Sequence, residues 1–248
     1  MDIVWEDPKA NLDKIRKKVG DLDSDTDLLI LPEMCTTGFS MHPEKIAEPW
    51  EDSPSVRNLQ DLSDHSGIAI VGSLAISEQE AFYNRLVFIQ PGKAIEYYDK
   101  RHLFTLAGED KVYSPGENIV VFNFRTWKIK VQICYDLRFP VWSRNTEDYD
   151  LLIYVANWPQ KRIEAWSTLL KARAIENMSY AIGVNRFGED GNGYIYNGKT
   201  SCYDALGAEL GALSEAEGAV EVILTKSSLE EKRNRLGFLK DQDDFEFI

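Results

Sequence analysis

Short apolar runs alternate along this chain with stretches of helical periodicity, and this alternation limits the folds that it can adopt. The run Leu151–Ala156 (LLIYVA) has no polar alternation, as expected of a strand covered on both faces. Trp127–Ile133 instead alternates apolar residues with lysine and glutamine, which indicates a strand with one wetter face. This pattern predicts an α/β protein with a largely buried sheet system and helices outside it.

Turn signals and helical spacing divide the rest of the chain in the same way. Pro91 and Gly92 lie between two strand-like runs and predict a hairpin. The predicted strands are residues 28–31, 67–76, 84–90, 93–100, 127–133, 151–156, 180–184, 199–204 and 219–224. The predicted helices are residues 11–19, 53–65, 164–178 and 227–236. No repeat, low-complexity tract or linker interrupts the chain, so one domain over residues 1–248 is expected.

Composition excludes several classes of function. The formal net charge is 28 − 41 = −13, which disfavours nucleic acid and anionic membranes as partners. No apolar run reaches the roughly 18 residues of a transmembrane helix, and the acidic N-terminal stretch does not resemble a signal peptide, so a cytoplasmic protein is expected. The three cysteines and three histidines show no metal-ligand spacing, which predicts reduced thiols and no metal site.

Three chemically versatile side chains follow three of the predicted strands. Glu33 follows the run at residues 28–31 and Pro32, Lys100 follows the run KAIEYYD at 93–99, and Cys134 follows Trp127–Ile133. Ligands of open α/β sheets bind outside the carboxyl ends of strands, so an acid, an amine and a thiol placed there can converge in one pocket. Taken singly, each has a simpler interpretation: Cys134 as a small buried residue, Glu33 as a cap, and Lys100 as a solvated lysine.

The residues after Cys134 favour a reactive thiol. A phenol, two charged residues and a proline follow within six positions, in the order YDLRFP, which is typical of a sharp turn into a short helix. Free backbone N–H groups at such a turn lower the pKa of a thiol and can bind a developing oxyanion. The N–H of Tyr135 is the candidate donor.

Five segments, taken in order between residues 31 and 188, resemble the signature blocks of the nitrilase superfamily of carbon–nitrogen hydrolases, and the resemblance covers nearly the whole chain. They are LPEMCTTGF (31–39), YYDKRHLF (97–104), ICYDLRFP (133–140), YVANWP (154–159) and ARAIENMSYAIGVNRFG (172–188). The longer strings CYDLRFPVWSRN and YDLLIYVANWP are similar to those of bacterial omega-amidases. Those enzymes hydrolyse the terminal amide of 2-oxo acids such as 2-oxoglutaramate and 2-oxosuccinamate.

The resemblance implies a four-layer α-β-β-α sandwich that assembles into homodimers. It also implies that Cys134 is the nucleophile, that Glu33 is the general base, and that Lys100 and the Tyr135 N–H stabilise the oxyanion. Water completes the reaction through a thioester, and no metal or organic cofactor is required. The alternatives are an amidase for a different small amide, a carbamoyl-amine hydrolase, a nitrilase, or a binding protein that kept the fold.

Further site residues follow from the same resemblance. Glu109, before the turn Ser114-Pro115-Gly116, matches a second carboxylate that positions the lysine, although an exposed loop acid is the simpler interpretation. Arg138 is the candidate ligand for a substrate carboxylate, or else the partner of Asp136 in a structural ion pair. The aromatic residues expected to wall the pocket, unless they belong to the core, are Phe39, Phe104 and Trp158.

The sequence departs from the family pattern at one place. The family opens with an apolar strand just before the segment that matches residues 3–5, whereas this chain starts at Met1, almost inside that segment. The first strand is therefore expected to be shortened or absent.

Overall fold

The computed structural model of the protein describes residues 1–246, whose strands form two sheets. The first sheet has the order β1-β3-β4-β5, and β2 also pairs with β3. Its strands are β1 (Leu28–Ile30), β2 (Glu48–Pro49), β3 (Ala69–Glu78), β4 (Ala81–Ile89) and β5 (Glu96–Asp99). β1 and β2 run parallel to β3, whereas β3, β4 and β5 form an antiparallel meander that includes the predicted hairpin.

The second sheet has the order β10-β11-β9-β8-β7-β6, and β12 pairs with β11. Its strands are β6 (Val121–Phe124), β7 (Trp127–Ile133), β8 (Leu151–Ala156), β9 (Tyr180–Asn185), β10 (Phe187–Glu189), β11 (Ile195–Tyr203) and β12 (Glu209–Ser214). The central strands β7, β8 and β9 are parallel, and the outer strands are antiparallel to their neighbours. Parallel strands of this kind are buried on both faces, which explains the apolar runs of β8 and β9. The wetter face predicted for β7 is wrong, because Lys130 and Gln132 are buried as well.

The helices of the described residues lie mainly on the outer faces of the sheets. The α-helices are α1 (Pro8–Gly20), α2 (Pro43–Ile46), α3 (Pro54–Ser66), α4 (Pro140–Ser143), α5 (Ile163–Glu176) and α6 (Lys226–Leu236). Short 3-10 helices cover Trp50–Asp52, Thr105–Ala107, Glu109–Lys111, Cys134–Arg138, Gln160–Arg162 and Phe238–Asp241. Pro54 and the Ser53 side chain, which accepts a hydrogen bond from the Val56 N–H, begin α3 as its sequence predicts.

Side chains that alternate along the strands build the layers. In β3, Val71 faces the core between the sheets, while Ile70 packs with residues of α1 and α3. In β8, Ile153 faces the same central core, while Leu152 packs with residues of α5. Each sheet therefore has one face on the other sheet and one under helices. The predicted four-layer α-β-β-α sandwich is confirmed.

The predicted strand at residues 219–224 is wrong. These residues form neither a helix nor a strand, and β12, which the prediction lacked, occupies the position beside β11 instead. Val222 and Leu224 still pack against the central core, while Ile223 between them is 93% exposed. The alternation therefore reflects one-sided packing of an extended segment without ladder hydrogen bonds.

The start of the chain contacts the second sheet near β10. Asp2 forms an isolated parallel bridge to Phe187, and the side chain of Ile3 is buried. Met1 lines a cleft of about 660 Å³ between the sheets, together with β1 and the segment at residues 218–224. Cys134 does not line this cleft. Among residues 1–246, no helix has the length and apolar character to cross a bilayer.

Candidate active site

The two sheets bring Glu33, Lys100 and Cys134 together from opposite sides. Glu33 follows β1 and Lys100 follows β5, both in the first sheet, whereas Cys134 follows β7 in the second. The Lys100 Nζ donates a hydrogen bond of 2.8 Å to Glu33 Oε1, and Cys134 lies near enough that the charges of Glu33 and Lys100 both act on the pKa of its thiol. An acid, an amine and a thiol therefore share one site, although 101 positions (134 − 33) separate its ends in sequence.

Glu109 is the fourth member of this buried cluster. The Lys100 Nζ donates to both carboxylate oxygens of Glu109, at 3.0 and 2.9 Å. Glu33 and Glu109 are each 0% exposed and Lys100 is 1% exposed, so none of them is a solvated surface group. The turn that follows Glu109, Ser114-Pro115-Gly116, is held close to β5: a Cβ on Gly116 would come within 2.2 Å of the Asp99 carbonyl oxygen, so only glycine fits there.

A buried amide supports the two carboxylates. The Asn84 Nδ2 donates to Glu33 Oε1 at 2.8 Å and to Glu109 Oε1 at 3.3 Å. Its Oδ1 accepts from the Ser73 hydroxyl, whose oxygen accepts from the Met34 N–H. Both Asn84 and Ser73 are completely buried. This chain of hydrogen bonds fixes the Glu33 side chain to strands β3 and β4.

The second sheet holds Glu33 from the other side through Asn157, the residue that follows β8. Its backbone N–H donates to Glu33 Oε2 at 2.8 Å, and its Nδ2 donates to the Glu33 carbonyl oxygen at 2.6 Å. One carboxylate oxygen of Glu33 therefore faces Lys100 and Asn84, and the other faces Asn157. Because both of its oxygens accept hydrogen bonds, the Glu33 carboxylate has little freedom to rotate.

Cys134 occupies a strained turn at the end of β7. Its backbone has φ of +43°, in the left-handed region that non-glycine residues rarely adopt, and Met34 beside Glu33 has φ of +44°. Such conformations cost on the order of 1–3 kcal/mol each and are concentrated at functional sites. The 3-10 helix Cys134–Arg138 starts at this turn, and the Tyr135 N–H lies in its first turn, where backbone donors lack helical partners.

Burial and charge set the protonation of the cluster. Burial raises the pKa of Cys134 well above its ordinary value, and the negative charge of Glu33 raises it further, against a smaller opposing effect of Lys100. Burial alone would lower the pKa of Lys100, but the carboxylates of Glu109 and Glu33 outweigh it and raise that pKa. Burial also raises the pKa of Glu109. The lowered thiol pKa expected from the sequence is therefore wrong: burial outweighs the turn, and the resting thiol is protonated beside a charged lysine.

A pocket of about 420 Å³ opens above Cys134. The sequence-predicted residues Lys100, Cys134, Tyr135, Arg138, Phe39, Phe104 and Trp158 all line it. The ring centroid of Phe39 lies 5.0 Å from the Lys100 Nζ, and the ring of Phe104 packs against that of Tyr135. A thiol, a base and donors for an oxyanion at the floor of an aromatic pocket form an arrangement suited to attack on a small carbonyl compound.

Arg138 does not pair with Asp136. The Asp136 carboxylate accepts hydrogen bonds from the Ile133 N–H, the Tyr98 hydroxyl and the His102 N–H instead. The exposed Arg138 side chain points along the pocket, with its guanidinium carbon 4.9 Å from the centroid of the Trp158 ring. Of the two sequence interpretations of Arg138, the structural ion pair is wrong.

Sequence reasoning missed several residues of the site. Asn157 follows a buried parallel strand, so the strand-end rule that selected Cys134 could have found it. Asn84 and Ser73 lie within long strands among apolar residues, where no local signal marks them. Three further residues line the pocket: Arg162 ends the 3-10 helix Gln160–Arg162, Asp190 follows β10 and Tyr196 lies in β11. Their placement depends on how the loops pack, which the strand pattern does not specify.

Nothing in residues 1–246 has the arrangement of a metal centre. No group of three or more histidine, cysteine or acidic side chains converges there in a metal-binding geometry. Cys35, Cys134 and Cys202 are free thiols, and burial raises the pKa of both Cys35 and Cys202 to about 12.

Comparisons with known proteins agree on one family. The sequence model described as carbon-nitrogen hydrolase matches residues 1–233. The omega-amidase YafV of Yersinia enterocolitica is 42% identical over 98% of this chain and 94% of its own length. The 2-oxoglutaramate amidase of Bacillus subtilis is 30% identical over 97% of this chain and 94% of its own length. The crystal structure of XC1258 from Xanthomonas campestris, a CN-hydrolase superfamily protein with an arsenic adduct in its active site, superposes with a TM-score of 0.96. It is 38% identical and covers 99% of this chain and 96% of its own.

Proposed function

The chain belongs to the carbon–nitrogen hydrolase family, and from this premise we propose that it is an omega-amidase acting on monoamides of 2-oxo dicarboxylic acids. Its substrates are 2-oxoglutaramate and 2-oxosuccinamate, and its products are the 2-oxo dicarboxylic acid and ammonia. The observation that carries the proposal is the convergence of Glu33, Lys100 and Cys134 at the floor of the pocket, where Lys100 hydrogen-bonds to Glu33 and Lys100 and Cys134 line the cavity. The omega-amidase and the 2-oxoglutaramate amidase among its relatives support the choice of substrate.

The proposed reaction starts from a neutral thiol. Glu33 removes the proton of Cys134 as the sulfur attacks the amide carbonyl carbon, so the reaction needs no standing thiolate, which the raised pKa of Cys134 disfavours. The carbonyl oxygen becomes an oxyanion, which Lys100 and the Tyr135 N–H stabilise. Glu109 keeps Lys100 protonated and oriented through its two hydrogen bonds. Each of these groups is pre-positioned, which minimises reorganisation during the reaction.

The tetrahedral intermediate then collapses. Protonated Glu33 gives its proton to the leaving nitrogen, the carbon–nitrogen bond breaks, and ammonia departs to leave a thioester on Cys134. Glu33 next takes a proton from water, whose oxygen attacks the thioester carbonyl. The carbon–sulfur bond breaks, the thiol regains its proton and the acid is released. The nucleophile, base and oxyanion donors are all protein groups, so the chemistry requires no metal or organic cofactor.

Arg138 is the proposed ligand of the substrate carboxylate. Its guanidinium is stacked on Trp158 beside the pocket and is not paired with Asp136, so its donors remain available to an anion. Phe39, Phe104 and Trp158 enclose the carbon chain between carboxylate and amide. This division into a polar end, an apolar middle and a reactive floor suits a short ω-amide acid.

Kinetics on a substrate panel test the proposal. Ammonia release is measured with 2-oxoglutaramate, 2-oxosuccinamate, an uncharged aliphatic amide, a carbamoyl amine and an aliphatic nitrile. We expect kcat/KM to be highest for the two 2-oxo acid amides. Efficient turnover of the uncharged amide or the nitrile with none of 2-oxoglutaramate would contradict the proposed substrate.

We further propose that residues 1–248 form one catalytic domain that acts in the cytoplasm as a homodimer. The family match over residues 1–233 supports one domain, and the free thiols support a reducing compartment. Phe247 and Ile248 lie outside the described residues. Sedimentation equilibrium of the purified protein tests the dimer, and fractionation of the producing cells tests the compartment.

A further inference from the structure

Arg162 is a second guanidinium at the mouth of the pocket. It ends the 3-10 helix Gln160–Arg162 that follows Trp158-Pro159, and its half-buried side chain lines the pocket. The guanidinium carbon lies 5.1 Å from the centroid of the Phe104 ring, so an aromatic face limits its orientations. Phe104 in turn packs against Tyr135, the residue after the nucleophile.

Trp158 connects Arg162 to Arg138. The Trp158 ring lies under the Arg138 guanidinium, and its Nε1 donates a 2.8 Å hydrogen bond to the Arg162 carbonyl oxygen. Arg138 and Arg162 therefore both contact aromatic rings at the same rim of the pocket. Arg162 accepts this hydrogen bond with its backbone carbonyl, so its side chain remains available to bind a ligand.

Neither guanidinium is neutralised by an acid. The arginine ion pairs found within residues 1–246 involve other arginines. The acidic residue that lines this pocket is Asp190, and its carboxylate already accepts hydrogen bonds from the N–H groups of Asn192 and Tyr194 and from the Tyr196 hydroxyl. The rim therefore offers unpaired positive charge on a protein whose net charge is −13.

We propose that Arg162 determines the preference for 2-oxo over 2-amino acid amides, an inference that rests on the proposed function. Arg138 binds the carboxylate, and Arg162 donates to the adjoining 2-oxo oxygen and the nearer carboxylate oxygen. An amino acid amide such as glutamine carries an ammonium group at the same carbon. That cation has no acceptor there and is repelled by the second guanidinium.

The experiment compares three substrates that differ only at carbon 2: 2-oxoglutaramate, glutaramate, which has no substituent there, and L-glutamine. The variants are Arg162→Gln, Arg162→Lys and, as a matched control, Lys161→Gln, which removes an exposed cation one residue away outside the pocket lining. Steady-state ammonia release gives kcat and KM for each combination.

For Arg162→Gln we expect kcat/KM for 2-oxoglutaramate to fall by about 10- to 100-fold, mainly through KM, because a hydrogen bond to a charged group is lost. The loss for glutaramate is smaller, and kcat/KM for L-glutamine is unchanged or higher. Arg162→Lys keeps the discrimination against glutamine but only part of the 2-oxo preference, and Lys161→Gln behaves as the wild type.

Equal losses for all three substrates in Arg162→Gln would mean a merely structural role and would overturn the inference. So would an Arg162→Gln variant indistinguishable from Lys161→Gln. If the wild type turns over no 2-oxoglutaramate, the proposed function fails by itself. In that case calorimetric titration with 2-oxoglutarate still tests Arg162: weaker binding to Arg162→Gln than to Lys161→Gln supports a 2-oxo acid subsite, and equal binding overturns it.

Discussion

At the scale of single residues, the site depends on two carboxylates that share one ammonium group. Glu33 and Glu109 both accept hydrogen bonds from Lys100, so this buried cluster carries one net negative charge. Burial raises the pKa of the neighbouring Cys134 thiol and this negative charge raises it further, while the proposed mechanism uses the Glu33 carboxylate as the base for that thiol. The same cluster therefore sets both the stability and the reactivity of the site.

Replacement of the base tests its role directly. Glu33→Gln keeps the shape and the hydrogen bond from Asn157 but cannot accept the thiol proton. We expect kcat to fall by about 10²- to 10⁴-fold, the usual contribution of general base catalysis. Ammonia release measures the loss, and the exposed Glu231→Gln serves as the control. Wild-type activity in Glu33→Gln would exclude Glu33 as the base.

Removal of the shared cation tests the energetics of the cluster. Lys100→Met leaves Glu33 and Glu109 buried without a counter-ion, so we expect the free energy of unfolding to fall by about 3–5 kcal/mol. Urea denaturation measures the change. The double variant Lys100→Met/Glu109→Gln, which also removes one of the charges, should recover part of it. A single variant as stable as the wild type would contradict the ionic cluster.

The raised pKa of Cys134 predicts how stability depends on pH. The ordinary pKa of a cysteine thiol is 9.0, and the folded pKa of Cys134 lies well above it. Above pH 9 the unfolded thiol ionises while the folded one stays protonated, so this residue favours unfolding increasingly as the pH rises. Relative to Cys134→Ser, the wild type should lose up to about 1.4 kcal/mol per pH unit above pH 9.

Urea denaturation of wild type and Cys134→Ser at several values between pH 7 and pH 10.5 checks this expectation. The difference in stability should be constant below pH 8 and should grow above pH 9. Other buried phenols and thiols titrate equally in both proteins and cancel. A difference that is the same at every pH would mean that the thiol ionises normally in the folded protein.

Sequence reasoning selected the residues that converge at the candidate site but not the residues that hold them. Glu33 and Cys134 follow apolar runs, and polar groups directly after such runs stand out in a sequence. Asn84 lies in the middle of β4, where its neighbours in sequence do not indicate that Glu33 and Glu109 lie beside it. Supports of this kind are set by contacts between strands, so they become visible only when the register is known.

At the scale of elements, the approach of β3 to the segment after β1 positions Glu33. A Cβ on Gly72 in β3 would lie 2.9 Å from the Leu31 Cβ and 3.3 Å from the Cys35 Sγ. Those two residues flank Glu33, and the Cys35 N–H donates to the Ser73 carbonyl oxygen. Because Gly72 has no side chain, the segment that contains Glu33 can lie against β3.

Gly72→Ala should push that segment away from β3. We expect the free energy of unfolding to fall by about 1–3 kcal/mol, as overpacking usually costs, and kcat to fall as Glu33 moves from Lys100. Thermal unfolding and ammonia release measure the two effects. Gly20→Ala at the end of α1, where a Cβ meets no atom within 4 Å, is the control. Unchanged kcat in Gly72→Ala would show that Glu33 tolerates this displacement.

Elements were predictable where burial enforces a pattern and unpredictable where it does not. The strands β7, β8 and β9 lie in the middle of a sheet, and their unbroken or alternating apolar runs predicted them. The segment at residues 219–224 alternates in the same way but pairs with no neighbouring strand. The prediction missed β12, whose six residues include a glutamate and a glycine, two types that are uncommon in strands. Alternation of apolar residues indicates that one side of a segment is buried, but it does not show whether the segment pairs with a neighbouring strand.

At the scale of the whole molecule, the sandwich itself makes the site. The first sheet supplies Glu33, Lys100 and Glu109, and the second supplies Cys134, Asn157 and both rim arginines. The apolar patterns predicted an α/β protein with buried sheets, but they did not predict two stacked sheets; that expectation came from the resemblance of the motifs. The rule that ligands bind at the carboxyl ends of strands was applied as if the chain formed one open sheet. It still grouped the same residues, although they follow strands of two different sheets.

The central claim is that the two sheets together form a site in which Cys134 acts as a covalent nucleophile. Mass spectrometry after brief mixing with 2-oxoglutaramate and acid quenching tests it most directly. We predict an adduct with the mass of the substrate less ammonia, located by digestion on the peptide that contains Cys134 and absent from Cys134→Ala. Ammonia release at the wild-type rate by Cys134→Ala, or an adduct located on Cys35 or Cys202, would contradict it.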